Sequence, residues 1–122
     1  MLLDKFTYIS VKYVHTTDVL DMPKKKRRFV WDFGNTSHLW ERHQVRPFEA
    51  EEAMEDSHAQ KGSDELHSQD EIRFTVIGKT RKSRALFLAF TVRYNYIRVL
   101  HARDAKRKEA KLYEEKISAT KV

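Results

Sequence analysis

The sequence predicts a single α+β domain in which a small antiparallel sheet of about four strands packs with three helices. Three apolar segments of strand length follow one another in the second half of the chain, and their short connections favour antiparallel hairpins. Segments with helical patterning lie before and after them. The 122 residues, 40% of them hydrophobic, are enough for one modest core.

The first half of the predicted domain holds a strand and two helices. RRFVWDF is typical of a short strand, and the glycine and asparagine after it are a turn signal. The next helix, with Thr36 or Ser37 as its N-cap, should end near Pro47, because proline disfavours helical backbone in the preceding residue. A second short helix is expected from Phe48. The polar sequence SHAQKGSDELHSQD is typical of a loop.

The second half is predicted to form a three-stranded meander and a helix. EIRFTVIG alternates between two faces, RALFLAFTV is an apolar run of strand length, and YIRVLHA is rich in β-branched and aromatic residues. GKTRKS and RYN are short enough to be the hairpin connections. The final helix, DAKRKEAKLYEEKI, is expected to use Asp104 as its N-cap.

The net charge of +6 favours an anionic partner, such as nucleic acid, an acidic protein or an anionic membrane surface. An acidic segment, residues 49–71, separates a basic N-terminal run from a basic C-terminal half. Salt bridges between the acidic and basic parts would explain these charges as well as an anionic partner does. No stretch approaches the roughly 20 apolar residues of a membrane span, so we expect no transmembrane helix. Of the anionic partners we favour nucleic acid and an acidic protein over a membrane. We interpret residues 1–22 as an N-terminal extension without a secretory signal, and residues 23–122 as the domain.

Four motifs follow one another along the chain: Phe29-x-Trp31-Asp32, Arg42-His43-x-Val45, the Arg73 strand ending at Gly78, and Ile97-Arg98 leading into Ala102-Arg103. In this order the sequence resembles the BrnT family of toxins from bacterial type II toxin–antitoxin systems, over about residues 29–115. The family often has Asn, Ser and Arg where this chain has Leu39, His101 and Asp104.

The resemblance implies a RelE-like fold and a cytoplasmic toxin that cleaves RNA without a metal ion and arrests translation. It also implies neutralisation by a ribbon-helix-helix antitoxin (BrnA-like), with operator DNA bound only through the antitoxin complex. No cofactor is expected.

Metal-independent RNA cleavage needs a base for the ribose 2′-hydroxyl, an acid for the leaving 5′-oxygen, and cations around the phosphate. Arginine suits the last role because its planar guanidinium binds phosphate oxygens bidentately. The strand arginines and one histidine are therefore the candidate catalytic residues: Arg73, Arg93, Arg98, Arg103 and His43. His101, Tyr113 and Glu71 are further candidates for proton transfer.

Basic and aromatic residues next to the strands are candidates for RNA binding. They are Lys24, Lys25, Lys26, Arg27, Arg28, Tyr94, Tyr96 and Lys106. The run from Lys24 to Arg28 also matches a nuclear address, but it adjoins the first strand of a toxin-like domain, and we favour RNA contact.

Two other functions remain open at this point. One is a non-catalytic nucleic-acid-binding or transcription-regulating protein, and the other is a small nuclear basic protein. A metal site is not expected, because His38 and His43 are about 140° apart around a helix and do not share a face.

Overall fold

The computed structural model describes residues 28–64 and 71–120, and these residues form one α+β layer arrangement. Its elements are β1 (Arg28–Phe29), α1 (Phe33–His43), α2 (Pro47–Glu55), β2 (Gln60–Ser63), β3 (Phe74–Lys79), β4 (Ala85–Arg93), β5 (Tyr96–Asp104) and α3 (Arg107–Thr120). The strands make one sheet in the order β1-β5-β4-β3-β2. The predicted fold class and the β3–β5 meander are confirmed.

The sheet differs from the prediction in two respects. It has five strands instead of about four, and β1 pairs parallel to β5, so the sheet is mixed. The additional strand is β2, which lies within the stretch predicted to be a loop and pairs antiparallel with β3. Its four residues are polar or glycine and mostly exposed, as suits an edge strand. An apolar pattern could not reveal it.

Helix α1 begins three residues before the predicted cap at Thr36. Asp32 is the N-cap, because its Oδ1 accepts from the backbone N–H of Asn35 at 3.1 Å and the Asn35 Oδ1 accepts from the N–H of Asp32 at 2.9 Å. The helix ends at His43, after which Gln44 adopts a left-handed conformation with φ of 53°. The early start limits β1 to two residues.

The start of α3 also differs from the prediction. Asp104 is still part of β5, and its carboxylate accepts from Arg84 instead of capping the helix. The Lys106 N–H donates to Glu109 Oε1 at 2.7 Å. The backbone carbonyl of Lys106 accepts from the N–H of Ala110. The helix therefore begins at Arg107.

The core lies between the helices and one face of the sheet. It includes Leu39 from α1, Met54 from α2, Phe90 from β4 and Val99 from β5, none more than 1% exposed. Asn35 is the polar residue at this contact, and its Nδ2 donates to the carbonyl of Val30 at 2.9 Å.

A β-bulge in β5 changes which face its side chains occupy. Ala89 pairs with His101 but Phe90 pairs with Val99, so Leu100 is an extra residue without an opposite partner. Val99 and Ala102 both belong to the core. As a result His101 lies on the opposite face, since a bulge reverses the alternation of the residues beyond it.

Helix α3 is fastened to α2 and β3 through Asp56. The buried Tyr113 hydroxyl donates to Asp56 Oδ2 at 2.5 Å, and the N–H groups of Lys79 and His58 donate to the same carboxylate. Burial acts to raise the pKa of Asp56, but these hydrogen bonds outweigh it and the pKa lies below its usual range. Burial and the Asp56 carboxylate raise the pKa of Tyr113. Tyr113, a candidate for proton transfer from the sequence, has a structural role in this position.

Gly78 allows close contact between α2 and β3, and its replacement tests this packing. A Cβ atom at Gly78 would lie 2.0 Å from the backbone oxygen of Ala53, whereas at Gly62 it would lie 3.1 Å from the Thr75 Oγ1. We expect Gly78→Ala to lower the free energy of unfolding by about 1 to 3 kcal/mol, because overpacking displaces backbone. Gly62→Ala is the control and should change it little. Urea unfolding measures both, and equal values would contradict this packing.

The lowered pKa of Asp56 predicts a loss of stability in acid. The unfolded state binds the proton more readily, so the contribution of Asp56 is present above its unfolded pKa and is lost as the pH falls through the folded pKa. We expect Asp56→Asn to have a lower free energy of unfolding than wild type at about pH 7, and this difference in stability to shrink at about pH 3. Urea unfolding at both pH values measures this. Glu115→Gln, at an exposed position on α3, is the control, and a constant difference for Asp56→Asn would contradict the prediction.

Candidate functional site

A pocket of about 380 Å³ opens on the sheet face opposite the core. Its floor is a row of paired residues, Thr75 on β3, Ala89 on β4 and His101 on β5. Arg73 and Arg103 also line it, with Ser63 and Asp64 at the β2 side and Phe87. We call this concavity the His101 pocket.

Two histidines of α1 lie beside His101. The His43 ring is edge-on to the His101 ring with centroids 4.9 Å apart, and the His38 centroid is 6.3 Å from it. The 140° separation of His38 and His43 does not bring them to one face, but it places them on either side of the buried stripe of Asn35 and Leu39. Because α1 packs against β5, both rings reach His101. The sequence analysis did not foresee this convergence.

His101 has an environment that favours its neutral form. Burial is the largest influence lowering its pKa, followed by the nearby His43, Arg103, His38 and Arg73, in that order. A neutral imidazole can accept a proton, so His101 is suited to act as a base. The bulge at Leu100 is what turns this side chain away from the core.

Arg103 is held rigidly at the edge of the pocket. Its Nη1 and Nη2 donate to the two carboxylate oxygens of Glu109 at 2.8 and 3.0 Å, and its guanidinium lies 4.3 Å from the centroid of the Phe87 ring. Burial acts to raise the pKa of Glu109, but the bonds from Arg103 and the Lys106 N–H lower it overall. This ion pair fixes a cation beside His101.

The other two predicted catalytic arginines lie outside the pocket lining. Arg98 donates to Asp32 at 2.7 and 3.3 Å, and this bond is the main cause that lowers the pKa of the Asp32 carboxyl. Arg93 donates two hydrogen bonds to Glu71. The structure therefore gathers Arg73, Arg103 and His43, and it gives Arg93 and Arg98 carboxylate partners elsewhere.

Several predicted RNA-binding residues meet at the β4–β5 turn, which we call the hairpin end. Tyr94 is 70% exposed and, like Asn95, has a positive φ, as a two-residue hairpin turn requires. The Arg28 guanidinium lies 5.8 Å from the Tyr96 ring centroid. Lys106 is exposed at the start of α3. Lys24, Lys25, Lys26 and Arg27 lie outside the described residues.

Neither a metal cluster nor a membrane helix is found in the part of the chain that the structure describes. Within residues 28–64 and 71–120, no group of three or more His, Cys, Asp or Glu side chains could hold a metal ion. No helix among the described residues has the length and apolar character needed to cross a membrane.

The chain matches the model of a known protein family over most of its length. Residues 31–109, which include α1 and the whole His101 pocket, match the family described as the ribonuclease toxin BrnT of type II toxin–antitoxin systems. No curated protein matches the chain.

The environment of His101 predicts an unusual titration. We expect its imidazole to titrate below 6.5, the ordinary value for histidine, because burial and nearby cations disfavour its protonated form. NMR chemical shifts of its ring, followed against pH, measure this pKa. His38→Asn should raise the pKa of His101, because the electrostatic effect of His38 lowers it. A pKa at the ordinary value in wild type, or no change in His38→Asn, would contradict the assignment.

Proposed function

Because this chain belongs to the BrnT family of ribonuclease toxins of type II toxin–antitoxin systems, we propose that it cleaves RNA at the His101 pocket without a metal ion and so arrests translation. The observation that supports this most directly is that His101 lines one concave face together with Arg73 and Arg103, while the His43 ring is edge-on to the His101 ring. These side chains supply the base, acid and cations that the reaction needs.

The proposed reaction is a transfer within the RNA backbone. Neutral His101 accepts the proton of a ribose 2′-hydroxyl, whose oxygen attacks the adjacent phosphorus. The new 2′-oxygen–phosphorus bond forms as the bond from phosphorus to the 5′-oxygen breaks. Protonated His43 donates its proton to the departing 5′-oxygen. The products are a 2′,3′-cyclic phosphate and a free 5′-hydroxyl, so atoms and charges balance.

Arg73 and Arg103 are the proposed electrostatic partners of the phosphate. Charge builds on the non-bridging oxygens as the phosphorus becomes five-coordinate, and fixed guanidinium groups stabilise that charge without reorganising. The two hydrogen bonds to Glu109 hold the Arg103 guanidinium in one orientation. A phosphate at Arg103 has to share this cation with the Glu109 carboxylate.

In this proposal the rest of the RNA strand runs over the hairpin end. Exposed Tyr94 and Tyr96 offer ring faces on which bases can stack, and Arg28 lies beside Tyr96. In this proposal Arg93, Arg98, Lys106 and the run from Lys24 to Arg27 attract the backbone electrostatically. They bind RNA, whereas the His101 pocket cleaves it.

A type II toxin has an antitoxin partner. For this chain we propose a ribbon-helix-helix antitoxin of the BrnA type, with operator DNA bound only by the antitoxin complex. Translation arrest requires contact with cellular mRNA, so we propose a cytoplasmic location.

Non-catalytic RNA binding is the second candidate, and the ion pairs favour it. Arg93, Arg98 and Arg103 each bind a carboxylate, which reduces the cationic charge available to a transition state. A protein with these pairs intact would hold RNA at the hairpin end without cleaving it.

The pocket arginine gives the test that separates the two candidates. We expect Arg73→Ala to stay folded and to cleave single-stranded RNA about 10² to 10³ times more slowly in EDTA, as the loss of one transition-state donor typically does. Arg81→Ala removes an arginine that is 84% exposed and lies outside the pocket, so its rate should equal that of wild type. Gel analysis of labelled RNA and circular dichroism measure rate and folding.

A modified RNA and the addition of metal ions test the proposed reaction further. RNA with a 2′-deoxyribose at the cleaved position should resist the wild-type enzyme, since the attacking oxygen is absent. Binding of RNA without any cleaved product would support the non-catalytic candidate. Cleavage that EDTA abolishes and magnesium restores would refute the metal-independent reaction.

A further inference from the structure

A second concavity, which we call the α1 groove, lies where α1 meets the start of α2. It has a volume of about 480 Å³, and Trp31, Phe33, Trp40, Val45 and Pro47 supply its apolar lining. None of the candidate catalytic or RNA-binding residues lines it. The reaction proposed above therefore does not use it.

The groove exposes large aromatic side chains to solvent. Phe33 is 87% exposed and Trp40 is 42% exposed. They are seven residues apart on α1, which is two helical turns, so both lie along one stripe. This stripe is turned away from the buried Asn35 and Leu39 that pack on the sheet. Contiguous apolar surface of this kind marks an interaction site in a soluble protein.

The charge of the groove argues against nucleic acid as its ligand. Its lining holds one cation, Arg46, and two carboxylates, Asp32 and Glu41, although the chain as a whole carries +6. Asp32 is already paired with Arg98, so Glu41 is the carboxylate that a cationic side chain of a partner would meet. The Arg46 guanidinium is stacked over Trp40, 4.1 Å from the ring centroid. Phosphates would meet carboxylates and aromatic rings here, whereas an apolar peptide with a cationic side chain complements both features.

We propose that the α1 groove is the docking site of the antitoxin. An amphipathic helix of the antitoxin would place apolar side chains at positions i, i+3 or i+4, and i+7 against Phe33 and Trp40. A lysine or arginine beside them would face Glu41, whose exposed carboxylate accepts a bond from Ser37 at 3.1 Å. This inference rests on the proposed function only for the existence of an antitoxin, and not on RNA cleavage.

The test measures antitoxin binding separately from cleavage. The probe is a purified ribbon-helix-helix antitoxin of the BrnA type, titrated calorimetrically into the full chain without RNA. We expect the double variant Phe33→Ala, Trp40→Ala to bind at least about 30-fold more weakly, the loss typical of an aromatic hot spot. Phe48→Ala removes an aromatic that is 57% exposed and lies outside the groove lining, so its affinity should equal that of wild type.

If the double variant fails to fold, the charge reversal Glu41→Arg tests the same groove. Glu41→Arg should weaken binding by repelling the cationic side chain of the antitoxin, and Glu115→Arg on α3 should not. RNA cleavage by Glu41→Arg should persist when the antitoxin is added at the concentration that silences wild type. A chain that binds antitoxin but cleaves no RNA would refute the proposed function and leave this inference standing.

Three results would overturn the proposal. The first is unchanged antitoxin affinity in both groove variants. The second is a wild-type oligomer in sedimentation that the double variant dissociates, which would assign the groove to a second copy of the chain. The third is weaker antitoxin binding by both groove variants in the full chain but not after deletion of residues 1–22, which would assign the groove to that segment.

Discussion

The β-bulge at Leu100 is the constraint on which both the core and the His101 pocket depend. In a regular strand, alternation would continue the core-facing series of Ile97 and Val99 to residue 101. The extra residue lets Ala102 face the core instead, and His101 joins Thr75 and Ala89 on the opposite face. Without it, either an imidazole would be buried in the core or the pocket would lose its central side chain.

A single arginine connects the elements around that strand. Arg84 donates to Asp104 on β5 at 2.7 Å, to Glu49 on α2 at 3.0 Å, and to the carbonyls of His43 and Gln44 at the end of α1. The bond to Asp104 is the main cause that raises the pKa of Arg84. These bonds satisfy carbonyls that a helix end leaves unpaired. They also fix the end of α1 that carries His43 next to His101.

The sequence predicted those elements whose pattern lies within a few consecutive residues. Apolar runs of strand length predicted β3, β4 and β5, and the short RYN connection predicted their last hairpin. The polar edge strand β2 carries no such pattern, because its pairing with β3 uses backbone groups. Asp32 and Ser37 are both good N-caps, and only the reciprocal bonds with Asn35 decide between them. The proximity of His38 to His101 depends on how α1 crosses β5. Residue spacing along the chain cannot predict that crossing.

The two faces of α1 lie against the proposed antitoxin groove and the proposed catalytic pocket. One stripe exposes Phe33 and Trp40, and the flanks of the buried stripe carry His38 and His43 beside His101. The helix is capped by Asp32 at its start and bonded to Arg84 at its end, so both of its ends are fixed. Proton transfer needs its donor and acceptor atoms within about 2.6 to 3.2 Å of each other. A ligand that displaced α1 from its outer stripe would therefore change the His43–His101 geometry without entering the pocket.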